Sequence, residues 1–492
     1  MIERFKLTEH NRRLFWGLGL IYGLYMLPII LADRAFKDDV PRMLYNCGGW
    51  SDGDGRPLTE WLITWLSGGK NVVDMSPLPH VLAVLLMAYC VTVYTSAYFF
   101  DEDKEIGAGT MMATSLVFFS PFLLENFSYQ LDVISHVVAI CATFFVFVFR
   151  KNDNRRVDVL YLLAVVLMGL ASLCTYQTAI GMIVGLCFLD ILIRVLQDKK
   201  PDWILQAHRV AGCGIAVVIY RFVIIPAVGA VMPVSTSEEG VITQYIQAYG
   251  RVYLRLDEYL RDIPRLVVIT TFLVVVIFDV MAVVKLVRAD KSVMAKVITA
   301  IYVIVTPGLI FVTSFAPVVV SGTGMSNRVL VAYVACMAYL SYTAMYIFNQ
   351  TNITRYLAIL IVPFFCLAFI YMYVYGTAEK NQAEYDRYIA YNLVHDLDEV
   401  NADDTYTSLT IIGNPGYSPY LNQLPFAYNY IFTNFWSTDW MGGEYIWGYT
   451  RHVLEYSDAE IDQDKLVKVK GTGLYNIYTI EDEARIAILF RY

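Results

Sequence analysis

Hydrophobic positions along the chain are gathered into long runs, and most polar and charged residues lie between them. About eleven runs of roughly 17–25 residues are long enough to cross about 30 Å of hydrocarbon. They lie at 14–32, 81–100, 108–124, 131–149, 157–175, 178–196, 210–232, 266–285, 297–316, 329–348 and 356–376. This pattern predicts an α-helical polytopic membrane protein.

Lysine and arginine mark one side of the predicted bundle. Short basic loops include Arg13, Arg150, Lys199 and Lys285, whereas the turns at 125–130 and 176–177 hold neither residue type. Because short cytoplasmic loops are enriched in basic residues, we expect a cytoplasmic N-terminus. With an odd number of spans, the loop at 33–80 and the C-terminal tail then both face outward.

The loop at 33–80 is far longer than a connection between two helices requires, which indicates a function of its own. Within it, the sequence L-T-E-W-L-I-T-W-L at 58–66 repeats apolar residues at spacings of three and four, with tryptophans at 61 and 65. This spacing predicts an amphipathic helix in the membrane interface. A second outer loop, at 232–265, shows the same helical spacing and predicts another interfacial helix.

A change of composition near residue 377 divides the chain. We assign 1–376 to a transmembrane domain and 377–492 to a small outward-facing domain. Its first segment has amphipathic helical spacing, and three later segments alternate like strands, so the domain is predicted to be α/β. The aromatic residues of 417–449 are interpreted mainly as core, and a stacking platform for sugar rings is the alternative.

Composition excludes several other classes of protein. The chain is 57% hydrophobic and 17% charged, while soluble proteins average about 25% charged residues. A net charge of -8 argues against a nucleic-acid partner, which requires a basic surface. Of eight cysteines only Cys47 lies in a polar loop, and no zinc-binding spacing occurs, so neither a disulfide framework nor a metal site is predicted.

Acidic residues of the first outer loop are the candidate catalytic groups. Asp38 and Asp39 form a carboxylate pair beside the membrane, where crowding and partial burial raise one pKa and suit a general base. Asp74 is the third candidate catalytic residue. A solvated loop start is the alternative for Asp38 and Asp39, but Arg42, Asp52 and Asp74 nearby favour function. The D-G-D-G-R sequence at 52–56 lacks the other ligands of a calcium loop and predicts a tight turn that orients Arg56.

Arginines near the outer face are candidate phosphate ligands. Arg221 lies within an apolar span, where a charge is costly and marks a functional-site candidate. With Arg328 and the loop residues Arg42 and Arg56, it could bind a phosphate through the fixed fork of the guanidinium group. A structural ion pair, or a side chain that reaches the interface, is the alternative for Arg221.

Amide, carboxyl and phenol side chains are expected at one depth, near the outward ends of the spans. Such groups suit hydrogen bonding to a sugar, and interfacial anchors with polar caps are the equal alternative. The candidate sugar-binding residues are Asp52, Asn126, Tyr129, Gln130, Asp132, Tyr176 and Gln177.

Several short motifs together resemble the GtrII-type, serotype-converting glucosyltransferases of the GT-C class. They are D-D-V-P-R at 38–42, G-W-S-D-G-D-G-R-P-L-T-E-W at 49–61, M-S-P-L-P at 75–79 and N-F-S-Y-Q-L-D at 126–132. The motif match covers about the first 180 residues, and beyond them the resemblance rests on the hydropathy pattern. The C-terminal domain shows no matching motif.

The resemblance implies a fold and an activity. The enzyme would lie in a bacterial inner membrane and transfer glucose, with inversion, from undecaprenyl-phosphate-glucose to a sugar of lipid-linked O-antigen on the periplasmic face. Asp38 or Asp39 would be the base, and a companion donor synthase and flippase would supply the donor. No cofactor is required, and whether a divalent cation takes part is left open.

Other functions remain as alternatives. The donor could carry another sugar, or the acceptor could be a lipid or a protein. A lipid-linked sugar flippase or transporter is a second class, although transporters favour repeats and charges at the midplane of the membrane. A non-catalytic scaffold for envelope assembly is a third.

Overall fold

The protein is described from a computed structural model of its 492 residues. The structure describes residues 2–69, 71–98, 106–149, 159–231, 241–289, 292–321, 326–350, 359–426, 428–433, 435, 454–457 and 459–491. The predicted basic loop around Arg150 and the start of the second outer loop, at 232–240, lie outside these residues.

The membrane part is a bundle of apolar helices. Its long helices are α1 (Glu9–Ala32), α4 (Leu78–Tyr98), α7 (Val133–Val148), α8 (Val159–Leu173), α9 (Met182–Leu196), α10 (Trp203–Ile219), α13 (Arg265–Arg288), α14 (Val293–Ser321), α15 (Val334–Gln350) and α16 (Val362–Val400). Short helices lie between them: α2 (Asp39–Leu44), α3 (Pro57–Leu66), α5 (Ala108–Ser115), α6 (Leu124–Ser128) and α11 (Ile225–Val228). A further helix, α12 (Val241–Asp262), belongs to the second outer loop.

Among the described residues, eight helices are long and apolar enough to cross a membrane. A bent pair, Ala108–Phe118 with Pro121–Ser128, makes a ninth span if its two parts are counted together. Two further apolar helices, α7 and α8, are shorter. The class of polytopic membrane protein is therefore supported, while the count of about eleven spans stays a prediction.

The first and last long helices pack closely because one residue has no side chain. A Cβ atom added at Gly376 in α16 would lie 2.5 Å from the Cβ atom of Pro28 in α1. Glycine at this position therefore allows the two helix backbones to approach. α16 is 39 residues long and ends at Val400, well beyond the predicted span that ends at 376.

The amphipathic segments of the outer loops are helices, as their spacing predicts. In α3, Thr59 and Ile63 are buried, while Trp61 and Trp65 are exposed and stack with ring centroids 6.3 Å apart. The start of α3 is fixed to the end of α8, since the backbone N–H of Leu58 donates to the carbonyl of Cys174 at 3.1 Å. Contact of these helices with the membrane interface stays a prediction.

The C-terminal part forms a five-stranded mixed sheet on the second half of α16. Its strands are β1 (Ser408–Ile412), β2 (Glu455–Tyr456), β3 (Leu466–Gly471), β4 (Tyr475–Ile480) and β5 (Arg485–Phe490), in the order β2-β1-β5-β4-β3. β1 pairs in parallel with β2 and β5, and the other pairs are antiparallel. Ile389, Leu393 and Leu397 of α16 pack on the sheet. The boundary of this domain and its side of the membrane stay predictions.

The segment between β1 and β2 packs on the membrane bundle. Leu421, Leu424, Tyr430, Ile431 and Phe435 belong to the same apolar core as the bundle helices. Tyr430 and Phe435 are buried, and the other aromatic residues whose burial is described are partly buried against this core: Tyr417, Tyr420, Tyr428 and Phe432. This agrees with the interpretation of these residues mainly as core. The segment includes the helix α17 (Asn429–Thr433). Residues 436–453 lie outside the described part of the chain.

Candidate functional site

The helix α2 is fixed to the turn before α7 by one buried carboxylate. Asp39, which is fully buried, accepts hydrogen bonds from the backbone N–H groups of Gln130 at 2.6 Å and Leu131 at 3.3 Å. It also accepts a bond from the backbone N–H of Phe36 at 3.4 Å. Both oxygens of Asp39 are thereby engaged in holding the loop together.

The neighbouring residue Asp38 has a different environment. Its side chain is 39% exposed, and its Oδ2 atom lies 3.5 Å from Nη1 of Arg328. Arg328 also donates to the hydroxyl of Tyr129, and its backbone N–H donates to Glu125 at 3.0 Å. Glu125 in turn forms an ion pair with Lys37. Asp38 is thus held beside a cation at an accessible surface.

Arg42 joins three parts of the site. Its guanidinium donates to Asp54 at 2.9 Å and to Asp132 at 3.4 Å. The same group lies 4.1 Å from the ring centroid of Trp50, which is fully buried. A cation held by two carboxylates and an aromatic face has little freedom to move, so Arg42 forms a rigid side of the site.

Arg56 reaches the same cluster from the turn that precedes α3. The turn contains Gly55 at φ +69, a conformation that favours glycine. Arg56 donates to Gln177 at 3.2 Å, lies 4.7 Å from the ring centroid of Tyr176 and lies 3.9 Å from Asp132. The prediction of a tight turn that orients Arg56 is confirmed.

The loop at 33–80 is bound to residues just before α9 and just after α10. Gln177 donates to the carbonyl of Asp54 at 2.7 Å, and the hydroxyl of Tyr220 donates to the carbonyl of Gly55 at 2.8 Å. Asn126 and Tyr176 both donate to the carbonyl of Arg328, at 3.2 and 2.7 Å. These bonds bring most of the predicted sugar-binding side chains into one cluster.

We call this group the Asp38 cluster. It contains Lys37, Asp38, Asp39, Arg42, Asp54, Arg56, Glu125, Asn126, Tyr129, Gln130, Asp132, Tyr176, Gln177, Tyr220 and Arg328.

Burial sets the proton affinity of the cluster's inner groups. Burial raises the pKa of Asp39 well above its usual value, and nearby Asp132 raises it further. Burial also raises the pKa of Asp132, although Arg42 and Arg56 lower it in part. Burial lowers the pKa of Arg42, but the surrounding carboxylates outweigh it and the net pKa is raised. The inner carboxyls therefore hold protons more tightly than free aspartates do.

Three predicted site residues are not brought into the cluster. Asp52 and Asp74 are exposed, and each accepts a hydrogen bond within its own turn, from the backbone N–H groups of Gly53 and Ser76 at 2.9 Å. Arg221 is exposed on the outside of the bundle, and its neighbour Tyr220 faces the cluster instead. The structure therefore gives no support to a phosphate-binding role for Arg221.

Sequence reasoning missed four members of the cluster: Lys37, Asp54, Glu125 and Tyr220. Glu125 offered a signal, because a carboxylate at the end of an apolar span is costly unless it has a partner. Lys37 and Tyr220 offered none, since their positions depend on how distant segments pack.

A second group of buried charges lies toward the other end of α9 and α10, and we call it the Asp190 cluster. Arg209 and Asp190 are both fully buried and pair at 2.8 Å. Arg209 also donates to the hydroxyls of Tyr161 at 3.0 Å and Tyr98 at 3.2 Å, and Arg194 lies 3.1 Å from Asp190. Each of these charged groups has an ionic partner within the protein, although the second oxygen of Asp190, Oδ1, has no hydrogen-bond partner among the described residues.

Within the described residues, one trio has the spacing of metal ligands: His395, Asp396 and Glu399. Lys470 forms ion pairs with both carboxylates, at 2.7 Å from Asp396. An ammonium group thus already neutralises this surface trio.

The helix bundle and the Asp38 cluster define a polytopic membrane protein with a charged, partly open site at one end. A family model described as Glucosyl transferase GtrII matches residues 27–348. The chain therefore belongs to the GtrII glucosyl transferase family, and the resemblance seen in the sequence is confirmed.

A protein of Salmonella phage P22, described as an uncharacterized 55.3 kDa protein in the gtrB 5′ region, is 31% identical to the chain over 127 residues. The aligned part covers 26% of this chain and 24% of that protein. No solved structure matches the chain.

Proposed function

We propose that the protein transfers glucose from a polyprenyl-phosphate-linked donor, such as undecaprenyl-phosphate-glucose, to a sugar of lipid-linked O-antigen. Membership of the GtrII glucosyl transferase family supports the sugar and the reaction class. The site would face the periplasm of a bacterial inner membrane, with the N-terminus in the cytoplasm. A companion synthase and flippase would make the donor and move it across the membrane.

The observation that carries the proposal is the contrast between two adjacent aspartates. Asp39 is fully buried and accepts three backbone hydrogen bonds, whereas the side chain of Asp38 is 39% exposed beside Arg328. A general base must reach the proton that it removes. Asp38 is therefore the base in this proposal, and Asp39 is a positioning residue.

Arginines of the cluster supply the positive charge that the leaving group needs. As the bond to the anomeric carbon breaks, negative charge grows on the phosphate oxygens, and fixed cations stabilise this charge. Arg328 is half-exposed next to Asp38, and Arg56 is half-buried behind it. Arg42 is held by Asp54 and Asp132 and fixes the wall of the site. The proposal includes no cofactor.

The reaction balances with these groups. The acceptor hydroxyl gives its proton to the Asp38 carboxylate, and its oxygen forms a bond to the anomeric carbon on the face opposite the phosphate. The bond from the anomeric carbon to the phosphate oxygen breaks, and the polyprenyl phosphate leaves with the electron pair. One displacement of this kind inverts the anomeric configuration.

The test is transfer by the purified wild-type protein in proteoliposomes. Synthetic polyprenyl-phosphate-glucose and the matching galactose and mannose lipids are offered with lipid-linked O-antigen repeat units as acceptors. We expect an inverted glucosyl product from the glucose donor alone. Absence of product from every donor, with protein that unfolds cooperatively on heating, would contradict the proposal.

A further inference from the structure

A small cavity with a mixed polar and apolar lining lies next to the Asp38 cluster and has no role in the reaction described above. Its polar wall is formed by Glu125, Asn327, Tyr375 and Tyr430, and the rest is apolar. The cavity has a volume of about 10 Å³. That is room for one water molecule or one hydroxyl group.

One polar group in this wall has no partner. Asn327 is 5% exposed, and among the described residues its side-chain oxygen has no hydrogen-bond partner. A buried acceptor without a donor costs free energy, since it has lost its hydrogen bonds to water. A hydroxyl group placed in the cavity would donate to this oxygen and remove that cost.

Two sets of contacts connect the cavity wall to Asp38, the proposed base. Asn327 directly precedes Arg328, which lies 3.5 Å from Asp38. Glu125, in the cavity wall, pairs with Lys37, the residue before Asp38, and accepts the backbone N–H of Arg328 at 3.0 Å. A sugar bound at Asp38 and Arg328 would therefore lie next to this cavity, because Asn327 in the cavity wall precedes Arg328 in the chain.

Part of the wall comes from outside the segment that matches the family. The family match ends at residue 348, whereas Tyr375, Tyr430 and Ile431 lie beyond it. Tyr430 is held in place because its backbone N–H donates to Asp262 at the end of α12. Its ring also packs 5.2 Å from that of Tyr259. The C-terminal part of the chain thus completes a pocket beside the reaction site.

We infer that this cavity, which we call the Asn327 cavity, binds one hydroxyl group of a sugar substrate and that Asn327 determines which sugar is accepted. The inference rests on the proposed glucosyl transfer. The hydroxyl belongs either to the donor glucose or to the acceptor sugar, because both carry the same chemistry. A site that hydrogen-bonds a substrate hydroxyl discriminates strongly against the analogue that lacks it.

The test compares sugars that lack one hydroxyl. Polyprenyl-phosphate donors carrying 2-, 3-, 4- or 6-deoxyglucose form one arm, and deoxy analogues of the acceptor sugar that keep the reacting hydroxyl form the other. For the wild type we expect kcat/KM to fall by about 100-fold or more for one analogue in one arm. For Asn327→Leu the full sugar should be slowed to a similar degree, so that the ratio between it and its deoxy analogue approaches one.

Controls separate specificity from folding. Asn392→Leu makes the same change at an exposed position of α16 and should keep the wild-type ratio. Tyr430→Phe removes a hydroxyl from the cavity wall at almost constant volume and should lower the ratio even if Asn327→Leu does not fold. Unchanged ratios in both cavity variants, or an equal slowing with every sugar, would overturn the inference in favour of a structural water site.

A binding measurement distinguishes this inference from the proposed function. Ligand that binds the folded protein raises its thermal unfolding midpoint. If the wild type shows no transfer, a stabilisation by one sugar lipid that disappears with its deoxy analogue and in Asn327→Leu still supports the cavity as a sugar site. Lack of both transfer and stabilisation overturns the proposed function and the cavity site together.

Discussion

The two clusters of charged residues lie toward opposite ends of the same helices and differ in how far their charged groups are exposed. In the Asp190 cluster, Arg209 and Asp190 are fully buried and pair with each other, and Arg209 also donates to two tyrosine hydroxyls. In the Asp38 cluster, Asp38 and Arg328 are more than a third exposed and 3.5 Å apart. A closed cluster holds helices in register, whereas a half-open one can exchange its partners for a substrate.

The comparison also separates two uses of the same residue types. Both clusters combine arginine, aspartate and tyrosine, so residue type alone does not distinguish them. Exposure does, because a substrate must reach the charges that bind it. The predictions below test this distinction.

The largest effect is expected for stability, from the closed cluster. Asp190→Asn leaves Arg209 and Arg194 buried without a carboxylate, and removing one partner of a buried pair costs about 3–5 kcal/mol. The measurement is thermal and denaturant unfolding in detergent. Asp198→Asn, which breaks the exposed pair with Lys285, should cost about 1 kcal/mol or less. An Asp190→Asn variant that is as stable as the wild type but does not transfer glucose would contradict the structural role assigned to the Asp190 cluster.

The next effect is expected for activity, from the open cluster. Arg328→Gln removes a cation beside the leaving group, and we expect kcat to fall by about 100-fold. Stability should change little, because Glu125, Asn126 and Tyr176 hold the backbone of Arg328 rather than its side chain. Arg251→Gln, at an exposed position of α12, is the matched control. Equal rates for both variants would count against the proposed role of Arg328.

A smaller effect links pH to stability through Asp39. Because the pKa of Asp39 is raised, the folded state keeps this proton between the ordinary value of 3.8 and the raised pKa, while the unfolded chain releases it. The free energy of unfolding therefore falls as the pH rises through this window. Unfolding midpoints measured across the window should show a shallower fall for Asp39→Asn.

The same variant should also be less stable at every pH. An amide offers one acceptor oxygen where the carboxylate has two, so a backbone N–H of the turn loses its partner, at a cost of about 1–3 kcal/mol. Asp52→Asn, which changes an exposed aspartate, is the control for the substitution. An unchanged pH slope in Asp39→Asn would show that Asp39 is not the group that holds the proton.

The smallest effect is expected for transfer, from a comparison of the adjacent residues Tyr220 and Arg221. Tyr220→Phe loses the hydrogen bond to the carbonyl of Gly55, and a loss of about 1 kcal/mol lowers kcat/KM about fivefold if the loop shifts. Arg221→Gln should leave transfer unchanged, since Arg221 is exposed on the bundle. The measurement is transfer at several donor concentrations. A larger loss in Arg221→Gln would restore the phosphate-binding role predicted from the sequence.

The sequence predicted the parts of the site that depend on depth along the helices. Asn126, Asp132, Tyr176 and Gln177 end apolar runs on one side, so their common level followed from hydropathy. The helix around Trp61, α3, followed from apolar residues at spacings of three and four. Depth along a helix and helical periodicity depend on nearby residues alone, so the pattern of apolar positions was sufficient to predict them.

The sequence did not show how a helix is rotated about its own axis, or which residues from distant segments pair. Arg221 and Tyr220 differ by one residue, which is about 100° around the axis, and hydropathy did not show which of them faces the site. A π-helical turn at Tyr220–Ile224 shifts the register further. The pair formed by Lys37 and Glu125 depends on the packing of segments 88 residues apart.

The most direct test of the central claim is the initial rate of glucose transfer by Asp38→Asn, with donor binding and thermal unfolding measured on the same preparation. The account predicts that transfer falls by about 1,000-fold, as for loss of a general base, while stability and donor binding stay close to those of the wild type. Transfer near the wild-type rate in a folded, donor-binding Asp38→Asn protein would contradict it.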